Sequence, residues 1–77
     1  MSIFKLILIE KRNESYNEKI HEKFIKAKNR DKAYDKALKT TSTFFDSYGM
    51  PDKDMIFWYD ENNTALWIKS LEKLKIV

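Results

Sequence analysis

Residues 3–9 read Ile-Phe-Lys-Leu-Ile-Leu-Ile, a strand-length run that is apolar in both of its alternating phases. Successive side chains of an extended chain leave opposite faces, so Phe4, Leu6 and Leu8 point one way and Ile3, Ile7 and Ile9 the other. Such a strand asks for cover on both sides. A chain of 77 residues has little to provide it with, since a domain of this size buries only about 60% of the surface its unfolded chain exposes. The same scarcity sets a large enclosed active site in competition with the core.

The first strand is expected over residues 3–12, closed by charges. The polar stretch 13–18, with two Asn, reads as a turn into a second strand over 19–28. There Ile20, Glu22, Phe24 and Lys26 alternate with His21, Lys23, Ile25 and Ala27, and the Lys content marks an edge strand. Asn29 is a suitable helix N-cap, and Asp31 stands where the helix dipole favours negative charge. Tyr34, Ala37, Leu38, Thr41, Phe44, Phe45 and Tyr48 then recur at three- and four-residue spacing opposite Lys32, Asp35, Lys36 and Lys39. The Thr40-Thr41-Ser42-Thr43 run is poor helix material, which allows the last turns to fray or end early, and the only Gly and only Pro, Gly49 and Pro51, stand where a stop is expected.

A third strand is expected over 55–59 and a fourth over 64–69, joined by the turn Asp60-Glu61-Asn62-Asn63. Leu66 and Ile68 take one face of the fourth strand and Trp67 the other. A bulge or helical turn is expected near 70–73. Ile68, Leu71, Leu74 and Lys75 also fit a helical period, and strand is preferred for 70–77 because Ile76 and Val77 are β-branched.

This order predicts one α+β domain over 1–77, a ββαββ arrangement in which a four-stranded, mainly antiparallel sheet carries one amphipathic helix on one face. Two faces and one helix do not match. Phe57 and Tyr59 alternate with Ile56 and Trp58, so one set lacks cover within the chain. An open aromatic face is the expected signature of a homodimer interface or a docking surface, and Phe57, Trp58, Tyr59 and Trp67 are its candidate partner-binding residues.

The charge needs its positions as well as its sum. The net +3 combines residues 1–40, with 11 basic and 6 acidic side chains, and residues 41–77, with 4 and 6. Lys26, Lys28, Arg30, Lys32, Lys36 and Lys39 form the candidate basic face. Basic charge beside aromatics on a sheet suits single-stranded nucleic acid. Here, however, the aromatics sit in the acidic half, acids interrupt the basic run, and Lys outnumbers Arg 13 to 2. Bidentate reading of phosphate and bases favours Arg. A small RNA- or DNA-binding module is therefore the alternative expectation.

The exclusions are broad. Without Cys there is no disulfide, thiolate zinc site or Cys nucleophile, and a lone His rules out motifs needing two imidazoles. His21 has no partner legible nearby. Asp52 and Asp54, or Asp60 and Glu61, lack the spacing of a calcium loop and read as turn-forming acids. Ser15, Ser42, Ser47 and Ser70 lack a nucleophile elbow, and one Gly cannot build a phosphate cradle. No catalytic residue, metal or cofactor is expected. With 43% hydrophobic and 14% aromatic residues the chain should fold rather than stay disordered. The run 6–9 is too short to span a membrane and lacks a signal-peptide setting, so a cytoplasmic location is expected.

The run from Phe24 to Ala37, in which a strand ends in a small residue, a capping Asn follows and a helix repeats Ala at four-residue spacing, resembles a pattern of small bacterial and phage proteins. With the aromatic hairpin bearing Trp67 it is similar to a family of uncharacterised bacterial ββαββ domains over residues 20–77. That resemblance implies a fold and no catalytic residues. In size, Lys/Ile/Asn-rich coding and lack of an active site the chain is also similar in type to phage accessory proteins that inhibit host defence enzymes. The leading expectation is a non-enzymatic protein-binding protein, an inhibitor of a host protein bound through the open sheet face or the basic helix side, acting by surface masking or dimer formation.

Overall fold

A computed structural model describes residues 1–13 and 17–74. The elements are β1 (Ser2–Arg12), β2 (Lys19–Ala27), α1 (Arg30–Ser42), β3 (Met50–Pro51), β4 (Phe57–Tyr59) and β5 (Thr64–Lys73). They form one antiparallel sheet in the order β2-β1-β5-β4-β3, with the helix on one face. The α+β class stands as expected, but the sheet has five strands and not four. The extra strand is the pair Met50–Pro51, laid against Phe57 and Trp58. Pro at the outermost edge costs no ladder bond, which is why so short a strand can end the sheet there.

The two phases of β1 divide as the sequence predicts. Phe4, Leu6 and Leu8 are at most 1% exposed and join Ile25, Ala27, Phe57, Tyr59, Leu66 and Leu71 in the core beneath the helix. Ile3, Ile7 and Ile9 turn to the face without a helix. β5 keeps its apolar residues on the core side through a bulge. It takes two residue steps, Ile68 to Ser70, against the single step Leu8 to Ile7 on β1, leaving Lys69 unpaired. The phase therefore switches, and Leu66, Ile68 and Leu71 share the core face although their spacing is not uniformly even. Residues 70–73 are strand, and the rest of the tail, 75–77, lies outside the described residues, as do 14–16 of the expected turn.

Asn29 caps α1 through its side-chain oxygen, which accepts from the Lys32 N–H at 2.9 Å. The helix ends at Ser42, well before Gly49. The hydroxyls of Ser42 and Thr43 both donate to the Lys39 carbonyl, at 3.0 and 2.8 Å, and the Thr41 hydroxyl donates to Ala37 O at 2.7 Å. Side chains that satisfy the last carbonyls leave the backbone free to depart from helical geometry. The buried stripe is Ala33, Ala37 and Thr41, each fully buried: Ala37 and Thr41 stand where the spacing places them, while Ala33 takes the first position in place of Tyr34, which is 42% exposed. Small residues at four-residue spacing bring the helix axis close to the sheet.

Thirteen residues give a helix of about 20 Å, whereas an eleven-residue strand runs to about 37 Å. The uncovered end of the core face is closed by a chain of rings. His21 meets Phe44 with centroids 4.8 Å apart, Phe44 meets Phe45 at 5.2 Å, and Phe45 meets Tyr59 at 4.8 Å, the last two edge-on. Phe44 and Phe45 thus act beyond the helix, while Tyr48, expected to extend the stripe, is 67% exposed.

Candidate interaction surface

The face of the sheet opposite α1 is built from residues whose register is fixed by the ladders. Across it run Ile20, Ile9 and Trp67 in one row, Lys11, Ala65, Trp58 and Met50 in another, and Phe24, Lys5 and Glu72 in a third. Ile20 is 67% exposed, Met50 62% and Phe24 60%. Ile9 is buried although no helix covers it, because Ile20 and Trp67 flank it across the strands. Trp58 and Trp67 are half-buried.

Of the four aromatic candidates, only these two tryptophans stand on the open face. Phe57 and Tyr59 occupy the alternate phase of β4, 2% and 4% exposed under the helix, and belong to the core. The Tyr59 hydroxyl donates to the Thr41 carbonyl, and burial raises its pKa.

Trp58 is held by its neighbouring loop. Its indole N–H donates to Asp52 Oδ2 at 2.9 Å, while Asp52 Oδ1 accepts from the N–H groups of Asp54 and Ile56 at 2.8 and 3.0 Å. The bond from Trp58 and those from the loop amides hold the Asp52 carboxyl below the usual carboxylate range. Asp52 is thus the turn-forming acid the sequence predicts, with the added task of fixing an indole on the open face. Among the described residues no three acids or imidazoles converge as a metal site would require.

The six basic candidates do not make one surface. Lys32, Lys36 and Lys39 share the outer side of the helix, whereas Lys26 lies opposite Ile3 in the ladder and projects from the far face of the sheet. Arg30 donates to the Leu71 carbonyl at 2.8 Å and Lys36 to the Lys26 carbonyl at 2.6 Å. Both tie the helix to strands. Lys28 is exposed at the β2–α1 junction.

His21 does have a partner. Its Nε2 lies 2.8 Å from Glu10 Oε1, and Arg12 Nε donates to Glu10 Oε2 at the same distance. The Glu10 side chain is only 3% exposed. Burial opposes its charge, but the hydrogen bonds and charges of Arg12 and His21 outweigh burial and lower its pKa. The signal was present in the sequence, since Glu10 continues the buried phase of Phe4, Leu6 and Leu8. Register across the hairpin then brings His21 within reach. Phe44 packs tilted against His21 and takes the Lys23 ammonium over its ring at 5.4 Å, so the His21 side of this ion cluster is covered while Arg12 stays exposed.

No helix among the described residues is long and apolar enough to cross a membrane. With the surface defined, comparison with protein-family models, with curated proteins and with solved structures gives no match to this chain.

Proposed function

We propose that this chain is a non-enzymatic protein-binding protein that docks its partner on the helix-free face of the sheet and acts by masking the partner's surface. The observation that carries this is the exposure of Ile20, Phe24 and Met50 on the same face as the two tryptophans, a face that no helix among the described residues covers. Ile20, Ile9 and Trp67 form an apolar row beside Trp58 and Met50, and Glu22, Lys5 and Glu72 lie between or beside that group and Phe24, a mixture of apolar and charged positions common to protein interfaces. Fixing the Trp58 indole through Asp52 lowers the ordering cost of binding at that side chain. An inhibitor that covers a host protein's working surface needs no catalytic group.

The nucleic-acid reading is the weaker one, because Arg30 and Lys36 are engaged with backbone carbonyls and the remaining cations divide between opposite sides of the molecule. Capture from a lysate of the host distinguishes the two. Wild type and Lys32→Glu/Lys39→Glu are expected to retain the same protein, and Trp67→Ala to lose it with unchanged circular dichroism. Retention by Trp67→Ala, with loss in the helix variant and a steep fall with salt, would replace this function with phosphate binding.

A further inference from the structure

β2 is an edge of the sheet, nine residues long, and its side chains are arranged to accept a second copy of itself. In a sheet continued across an antiparallel two-fold, a residue pairs with one on the same face. The register must therefore be centred on a residue of β2 rather than between two. Centring on Glu22 sets it against its own copy, and centring on Lys23 does the same for a cation. Like charges directly opposite are destabilising. Centring on Ile25 puts Phe24 opposite Lys26. Centring on Phe24 sets the exposed ring against its copy and places Glu22 opposite Lys26 in both directions. On the helix side it sets Lys23 against Ile25 and His21 against Ala27.

We infer that the protein self-associates through the outer edge of β2, in the antiparallel register with Phe24 on the two-fold axis and two reciprocal Glu22–Lys26 ion pairs beside it. Three features make the second copy the occupant. The strand has no strand neighbour on its outer side, Phe24 and Ile20 project from it at 60% and 67% exposure, and its charge order is self-complementary about Phe24. Glu22 already pairs with Lys5 at 3.4 Å, so the dimer extends this to a row of Lys5, Glu22 and the partner's Lys26. Lys36 reaches the Lys26 carbonyl from the helix on a long flexible stem, and a partner strand shares or displaces it. Joining two edges gives a ten-stranded sheet whose helix-free faces are continuous.

Charge reversal tests the register. Sedimentation equilibrium on the full chain at about 0.1 mM is expected to give a dimer. Glu22→Lys and Lys26→Glu, both on exposed side chains, should each weaken it about tenfold, and the double variant should recover to within about threefold of wild type. Circular dichroism monitors folding. A monomeric wild type overturns the inference, as does a double variant no better than the single ones. A dimer indifferent to both reversals but lost in Trp67→Ala overturns it too, assigning self-association to the sheet face.

Discussion

Glu10 contributes to stability only while it is charged, because its carboxylate is held between Arg12 and His21 at 3% exposure. Its folded pKa lies below the ordinary 4.5. The contribution is therefore complete above the unfolded value and is lost as pH falls through the folded one. Glu10→Gln is expected to cost about 1–2 kcal/mol near neutrality, discounted for the exposure of Arg12. The gap between wild type and variant in urea unfolding should then narrow on acidification below about pH 4.5, and a gap independent of pH would show that the carboxylate's charge does not matter. Gly49 makes a different demand. Its φ is not positive, and a Cβ there would run into the Tyr59 ring. The backbone approaches the ring closely, with the Gly49 N–H donating to Ser42 O at 2.7 Å. Gly49→Ala is expected to destabilise by about 1–3 kcal/mol in thermal or urea unfolding. An unchanged midpoint would mean the ring moves aside freely.

The turn between β4 and β5 holds Asp60, Glu61 and Asn62 at φ of 53°, 53° and 69°. Left-handed backbone costs a side-chain-bearing residue about 1–2 kcal/mol, and Glu61 lacks the local hydrogen bonding that helps Asp or Asn. Glu61→Gly should therefore raise stability by several tenths of a kcal/mol, net of the entropy Gly adds to the unfolded chain. Asn29→Ala, by contrast, removes the helix cap and should lower stability by about 1 kcal/mol. Both are read by chemical denaturation. The same elements show what could be read in advance. The phases of β1, the Asn29 cap and the 60–63 turn rest on local chemistry, so sequence was enough. The helix stop follows the poor helix material of Thr40–Thr43, whose hydroxyls end it, and not Gly49, which serves Tyr59 instead. The ambiguity at Ile68, Leu71 and Leu74 came from the bulge at Lys69, which inserts one residue into an alternating pattern and so imitates a helical period. β3 escaped because two residues carry no period. Of the interaction surface, Trp58 and Trp67 could be named from alternation. Ile20 and Phe24 could not, although β2 reads as an edge strand, since which of its two phases turns away from the helix depends on its register against β1.

At the scale of the whole molecule, one short helix and a few rings close one face, and among the described residues nothing is laid over the other. Burial of an apolar side chain on that face stabilises a complex, whereas burial under the helix stabilises the fold, so substitutions on the two sides should separate the two quantities. Leu66 is fully buried, and Leu66→Ala is expected to cost about 2–5 kcal/mol of folding stability. Ile20→Thr and Phe24→Thr keep a strand-favouring residue while removing exposed apolar surface. They are expected to shift stability by no more than about 0.5 kcal/mol and to reduce binding of an apolar dye. Urea unfolding and dye fluorescence on the same samples decide the matter. A loss at Phe24 comparable to that at Leu66, with dye binding unchanged, would place Phe24 in the core and leave no open face for a partner.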